Sequence, residues 1–192
     1  MPIEYERRFR LAESAAQFRQ RVGGTWVLRH VIDVTFGVAG MESMDRVGWI
    51  VRIRRSEDLT GTEGDVSIEY KAALAHATWR ELSLSVNNTM AECAQFLSSV
   101  GLTSGMVIER VRATTHSAVR ISVDEVRWLG TFVELEGPPE LVADAAGRVG
   151  LLAEDEAGAY GDLLAELLRS NPDIDRDHRI ALARLTGFDG RE

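Results

Sequence analysis

The residues best able to do chemistry recur at every second position. Near the N-terminus stand Glu4, Glu6 and Arg8. Further along come Arg52 with Arg54, Glu69 with Lys71, Arg110 with Arg112, Arg120 with Asp124, and Glu134 with Glu136. That spacing puts both members of a pair on one face of a β-strand, roughly 6–7 Å apart, and Arg120 and Asp124, four residues apart, share a face at about twice that distance. The alternate positions are apolar: Val51 and Ile53, Ile68 and Tyr70, Val111 and Ala113, Val119, Ile121 and Val123, Val133 and Leu135. In 3–9 the apolar series Ile3, Tyr5, Phe9 is interrupted by Arg7. Strand after strand therefore carries one apolar face and one face with charge of both signs. Carboxylates are oxygen ligands for Mg²⁺ or Mn²⁺, and arginines fork onto phosphate oxygens. A wall that carries both suits a phosphate held with a divalent cation.

An antiparallel sheet with one solvated face gives the same alternation. Two features favour another arrangement. The charged positions are mostly Glu and Arg, whereas solvated faces are usually rich in Thr, Ser, Gln and Lys. Several helical segments are also available to cover the apolar faces. A sheet covered on its outside can curl its charged face inward, and that interior must then hold water, ions or a charged ligand, because unpaired buried charge is costly. The expected fold class is α+β: an antiparallel eight-stranded β-barrel, a tunnel with helices packed on the outside, of the size that holds one small ligand.

The elements that would position these residues follow from pattern and punctuation. Strands are expected over 3–10, 26–36, 49–55, 66–73, 79–86, 107–114, 119–126 and 131–136. A short helix over 13–22 ends at Gly23-Gly24, and one over 90–100 begins after Asn87-Asn88-Thr89 and ends at Gly101. Further helices are expected near 141–151, after Pro138-Pro139, and over 154–168, stopped by Asn171-Pro172. Residues 37–48 read as a loop that is not a P-loop, since no Gly-Lys-Ser/Thr follows. Residues 56–65 read as a polar turn. The domain is expected over 1–170, with a tail over 171–192 that adds at most one short helix and ends in disordered residues.

The chain has 192 residues, enough for one domain with a real core, and a net charge of −8 that disfavours a long nucleic acid as partner. Its single cysteine, Cys93, allows no intramolecular disulfide and no all-cysteine zinc site, and it lies in an apolar helical run as a buried small hydrophobe. No apolar run reaches transmembrane length and no signal peptide is evident, so the expected location is the cytoplasm, without a membrane partner. His30, His76, His116 and His178 have no metal-ligand spacing and read as surface or loop residues.

The charged strands, taken in order, resemble the CYTH domain, the triphosphate tunnel superfamily of class IV adenylyl cyclases, thiamine triphosphatases and tripolyphosphatases. Glu4-x-Glu6-x-Arg8 resembles its ExExK signature, and Asp33 stands where the family has an aspartate. Val51-Arg52-Ile53-Arg54 resembles its LRIR strand, Ile68-Glu69-Tyr70-Lys71 its TYKG strand and Arg110-x-Arg112 its K-x-R strand. Val123-Asp124, Leu129-Gly130 and Phe132-Val133-Glu134-Leu135-Glu136 resemble its LG.FvEiE stretch, and Tyr160-Gly161-Asp162-Leu163-Leu164 its late helix. The resemblance covers about 4–168. It implies Mg²⁺ or Mn²⁺ on Glu4, Glu6, Asp124, Glu134 and Glu136. It implies phosphate binding by Arg8, Arg52, Arg54, Lys71, Arg110 and Arg112, with Glu4, Glu6 and Lys71 in the catalytic set. Glu69 and Glu81 fit either metal or arginine, and Arg120 fits a carboxylate partner.

Two departures carry weight. Arg8 replaces the family lysine, which keeps the charge but removes a proton-transfer group. In 79–83, alternation turns Glu81 inward and Arg80 outward and puts Trp79 where the family has a tunnel arginine. The resemblance implies a metal-dependent triphosphatase acting on tripolyphosphate, thiamine triphosphate or a nucleoside triphosphate. A class IV-type adenylyl cyclase and a non-catalytic polyphosphate- or nucleotide-binding module are the alternatives. Hydrolysis is preferred because it needs no ribose pocket. The expected partners are the small-molecule triphosphate and, as a further possibility, a second copy of the chain in a homodimer.

Overall fold

Alternation along the strands decides which way each face turns. The computed structural model describes residues 3–38, 48–59, 64–152 and 157–188. Eight strands, β1 (Ile3–Arg10), β2 (Val27–Gly37), β3 (Trp49–Asp58), β4 (Asp65–Ala75), β5 (Thr78–Val86), β6 (Thr103–His116), β7 (Arg120–Val126) and β8 (Gly130–Glu136), close into a barrel. The order is β1-β5-β4-β3-β2-β6-β7-β8, and every neighbouring pair is antiparallel. β1 closes the barrel by pairing with β5 on one side and β8 on the other, which leaves no free sheet edge. The expected α+β barrel is the observed fold.

The outward faces are covered by five helices among the described residues: α1 (Ala15–Val22), α2 (Met90–Ser99), α3 (Pro139–Arg148), α4 (Tyr160–Ser170) and α5 (Pro172–Thr186). Phe9, Val123, Val133 and Leu135 pack against Phe18 of α1 and Val142 of α3. Val34, Phe36, Ile53 and Val107 pack against α2, whose Met90, Cys93, Ala94 and Leu97 follow the i, i+3, i+4, i+7 stripe of a helix with one buried side. Each fully buried large side chain contributes about 1.5–3 kcal/mol. Both α1 and α2 start in capping boxes, Ser14 with Gln17 and Thr89 with Glu92. On β5 the outward leucines Leu82 and Leu84 point away from the interior as alternation requires, but no helix buries them; Leu84 is 64% exposed.

Several elements differ from the sequence reading. β3 continues through Ser56, Glu57 and Asp58, because these polar residues pair with Val31, His30 and Arg29 of β2. β6 begins at Thr103, opposite Gly37. α3 runs over Pro139–Arg148, earlier than expected, with proline at its first turn. α4 begins at Tyr160; residues 154–156 of the expected helix lie outside the described residues, as do most of the 37–48 loop and the final residues read as disordered. The segment read as a tail forms α5, the longest described helix, capped by Asn171 and ended by Gly187 in the left-handed region. Its Leu182 and Leu185 join the core under α2.

The same helix corrects the reading of His178, which is only 3% exposed. A register shift between Val34 and Phe36 interrupts the β2–β6 ladder and leaves backbone N–H groups of β6 to find other acceptors. Met106 N–H donates to Thr35 Oγ1 at 2.8 Å, and Val107 N–H donates to His178 Nε2 at 2.9 Å. Burial lowers the pKa of the imidazole, consistent with a neutral acceptor. Bulges of this kind leave no trace in the hydropathy pattern, so spacing alone put His178 on the surface.

Candidate functional site

Strand register brings most inward cations beside an inward carboxylate; Arg110, between Val31 and Val126, is the exception. Arg52 faces Glu69, Arg54 faces Asp33, Lys71 faces Glu81, Arg112 faces Asp124, Arg120 faces Glu136 and Arg8 faces Glu134. Opposite charges directly across two strands attract, and here most of these pairs close into hydrogen bonds. Arg54 forks onto Asp33 at 2.7 and 2.9 Å. Arg52 donates to Glu69 at 2.5 Å and to Glu81 at 2.9 Å. Arg112 donates to Asp124 at 2.7 Å and also reaches Glu134. Lys71 turns instead to Glu6, at 2.8 Å, and its ammonium lies 5.1 Å from the centre of the Trp79 ring. Arg120 pairs with Glu136.

These side chains surround a cavity of about 830 Å³ inside the barrel. Two anchors hold its deepest layer. Asp33, 2% exposed, accepts from Arg54 and Arg110, and Arg52 lies 3.7 Å away. Burial alone would raise its pKa, but Arg110, Arg54 and Arg52 outweigh that and hold the carboxyl well below its ordinary range. Asp124, 0% exposed, accepts from Arg112 and from the Tyr160 hydroxyl at 2.8 Å, with Arg110 3.5 Å away. Tyr160 enters from α4, and the Arg8 guanidinium lies 4.1 Å above its ring. Arg8 itself donates to Glu134, Glu6 and the carbonyl of Gly158.

The acidic wall has two parts. Glu134 accepts from Arg8 and Arg112, which overcome burial and hold it well below the ordinary carboxylate range. Asp124 and Glu134 therefore spend their oxygens on arginines. The other part lies on β1, β5 and β8. Glu4 is raised to about 7 by burial, by a shared hydrogen bond with Glu81 and by repulsion from Glu136 and Glu81. Glu81 is lowered to about 2; burial opposes this, while Arg52, the hydrogen bond from Glu4 and Lys71 bring it about. The pair shares one proton, and Glu4 carries it. Burial and Glu6 raise Glu136 despite Arg120. One buried oxygen of Glu4, Oε2, has no hydrogen-bond partner.

A hard divalent cation fits this second part at Glu4, through its orphaned buried oxygen and its crowded carboxyl; Glu6 and Glu136 nearby would join it by giving up contacts to Arg8, Lys71 and Arg120. Among the described residues no three carboxylate, imidazole or thiol side chains already converge as a ready-made chelate. An ion held here would have to complete its coordination with water.

Towards one end, the inward positions lose their charge. Thr35, Ile50, Met106 and Ile108 line the cavity there, and α4 adds Ala165 and Leu168 together with the charged Asp162 and Arg169. Arg80 is exposed and Glu81 points inward, as alternation requires. The sequence reading missed the anchoring roles of Asp33 and Tyr160. Asp33 sits in Val31-Ile32-Asp33-Val34, where both faces carry apolar residues, so no alternation marks it. Tyr160 belongs to a helix, where strand parity says nothing.

No protein-family model and no curated protein matches this sequence. The fold does match solved structures. PH1819 from Pyrococcus horikoshii OT3 is 17% identical with a TM-score of 0.72, over 85% of this chain and 98% of that one. A candidate adenylate cyclase from Vibrio parahaemolyticus is 14% identical with a TM-score of 0.70, over 85% and 98%. HpAC1 from Hippeastrum, an adenylyl cyclase candidate described as having a dominant triphosphatase activity, is 15% identical with a TM-score of 0.57, over 86% and 96%. At these identities the likeness establishes a common fold. The fold they share with this chain is the closed eight-stranded barrel expected from the strands.

Proposed function

We propose that this chain is a divalent-cation-dependent phosphohydrolase that holds a linear triphosphate inside the barrel. The observation that carries this reading is the interior charge. Arg8, Arg52, Arg54, Lys71, Arg110, Arg112 and Arg120 line a cavity of about 830 Å³ with Glu6, Asp33, Glu81 and Glu134, and Glu4, Glu69, Asp124 and Glu136 stand on the same inward face of the strands. Such an interior is close to neutral. A triphosphate brings several negative charges, so its guanidinium contacts must be gained at the expense of carboxylates, and a cation must balance those carboxylates.

Arg52, Arg54, Lys71 and Arg112 keep part of their surface towards the cavity and are the phosphate-binding groups. Arg110, with a side chain 2% exposed, positions Asp33 and Asp124 from behind. Glu4, Glu6 and Glu136 would hold the cation, with Glu81 beside them, and the cation would supply neutralisation of phosphate charge. Asp124 and Glu134 are assigned to the arginines. This narrows the metal set implied by the family resemblance. In hydrolysis a water oxygen attacks the terminal phosphorus, the bond to the bridging oxygen breaks, and orthophosphate leaves. Positioning and charge neutralisation supply the rate enhancement.

The end of the cavity where the strands carry no charge supports a second reading. Ile50, Met106 and Leu168 offer space for an organic group attached to the phosphates, which a cyclase acting on ATP also requires. Incubation with tripolyphosphate, thiamine triphosphate and ATP, each with Mg²⁺ or Mn²⁺, separates the two. Orthophosphate release supports hydrolysis, cyclic AMP with pyrophosphate supports the cyclase, and binding without any product supports a non-catalytic module. Neither binding nor product would sink all three.

A further inference from the structure

The barrel interior does not end at the arginine layer. A second cavity of about 360 Å³ opens at the far end, and Arg54, Arg112 and Arg120 line both cavities. The register explains the arrangement. Beyond the level of Asp33 and Arg54, the next inward positions are Val31 of β2 and Ser56 of β3, then Arg29 of β2 beside Arg112 of β6. On the opposite wall Thr114 faces Ser122, and His116 faces Arg120.

The two cavities differ in one decisive respect. Glu6, Asp33, Glu81 and Glu134 line the first. Among the described residues no carboxylate lines the second; its charged groups are four arginines with His116, and its hydroxyls are Ser56, Thr114 and Ser122. Arg29 and His116 stand exposed at its rim. Three of these arginines also pair with carboxylates behind them, Arg54 with Asp33, Arg112 with Asp124 and Arg120 with Glu136, and Arg29 stands across from Asp58 of β3; with no carboxylate among the lining residues, the arginine forks and hydroxyls facing this space suit an oxyanion rather than a metal. Because three arginines face both compartments, an anion on either side draws on the same guanidinium groups.

We propose that this far cavity is a second oxyanion subsite, which takes phosphate groups beyond the three held in the main cavity. Those groups come either from a linear phosphate chain longer than three or from free orthophosphate. The chain source rests on the triphosphate reading given above; the orthophosphate source does not.

Calorimetric titration of the full chain without added divalent cation, where no turnover is expected, tests this. Tripolyphosphate, tetrapolyphosphate and orthophosphate are compared on wild type, Arg29→Glu and Arg80→Glu. Arg80 lies exposed on the outside of β5, so its reversal repeats the change in net charge away from the cavity. Arg29→Gln serves the same test if charge reversal at the rim disturbs folding. If chain phosphates fill the subsite, Arg29→Glu weakens tetrapolyphosphate by about tenfold or more and tripolyphosphate by less than about twofold, and Arg80→Glu changes neither. If free orthophosphate fills it, orthophosphate binds to protein already saturated with tripolyphosphate, and Arg29→Glu abolishes that event. The proposal is overturned if tetrapolyphosphate and tripolyphosphate respond alike and orthophosphate adds no event to the saturated protein. If tripolyphosphate does not bind even after Mg²⁺ is added, the triphosphate reading fails, and orthophosphate titrated alone into wild type and Arg29→Glu still decides the subsite.

Discussion

Replacing Glu4 with glutamine isolates the strained part of the acidic wall. In the folded chain Glu4 is raised from 4.5 to about 7, first by burial and then by Glu81 and Glu136. At full burial that shift corresponds to about 3 kcal/mol. Glu4 is only half-buried, so solvent screening reduces the figure to about 1–2 kcal/mol. The sign follows from linkage. A carboxyl whose folded pKa is raised stabilises the fold when protonated, and that contribution is lost as pH rises from about 4.5 through 7. Glutamine cannot ionise, and its amide still donates towards Glu81. In EDTA, Glu4→Gln is therefore expected to match wild type near pH 5 and to exceed it by about 1–2 kcal/mol near pH 8.5. For a chain of this size that is a gain of roughly 2–8 °C in melting temperature. Thermal melts at the two pH values measure it. Other titrating groups, including Asp33 and Glu134, are common to both proteins and cancel in the difference. An unchanged difference between pH 5 and 8.5 would refute the crowded-carboxylate account, and with it the argument that this wall is built for a cation.

Three further outcomes are expected. Arg52→Ala or Arg54→Ala removes charge-assisted hydrogen bonds worth roughly 1.5–3 kcal/mol, so triphosphate affinity falls about ten- to hundredfold per site, read by titration. Activity disappears in EDTA and returns with Mg²⁺ or Mn²⁺, and Glu6→Gln shifts the metal concentration needed for half-activity upward; an unchanged metal profile would leave Glu6 as a partner of Arg8 and Lys71 only. His178→Ala orphans the buried Val107 N–H, costing about 1–3 kcal/mol in denaturant unfolding, while activity per folded molecule stays at the wild-type level.

The barrel was legible because its strands obey a period of two with few exceptions. Ile53, Val123 and Leu135 point out to helices, and Arg52, Asp124 and Glu134 point in. The pairing of charges was not legible, since register decides that Arg112 meets Asp124 and that Glu6, not Glu81, takes Lys71. The family resemblance put Asp124 and Glu134 with Glu4, Glu6 and Glu136 as one acidic set. Closure divides that set, giving Asp124, Glu134, Glu136 and Glu6 to arginines or Lys71 and leaving Glu4 with an unsatisfied oxygen. His178 and α5 escaped because their roles depend on a break in the β2–β6 ladder that only the folded register reveals.

The central claim is that the barrel recognises the phosphate chain. Equilibrium competition between ATP and tripolyphosphate on the full chain with divalent cation, with adenosine as the control ligand, tests it most directly. The account predicts that tripolyphosphate displaces ATP completely and that adenosine binds poorly, because Arg52, Arg54, Lys71 and Arg112 find no phosphate on it. Adenosine binding as tightly as ATP, or ATP retained against excess tripolyphosphate, would contradict it.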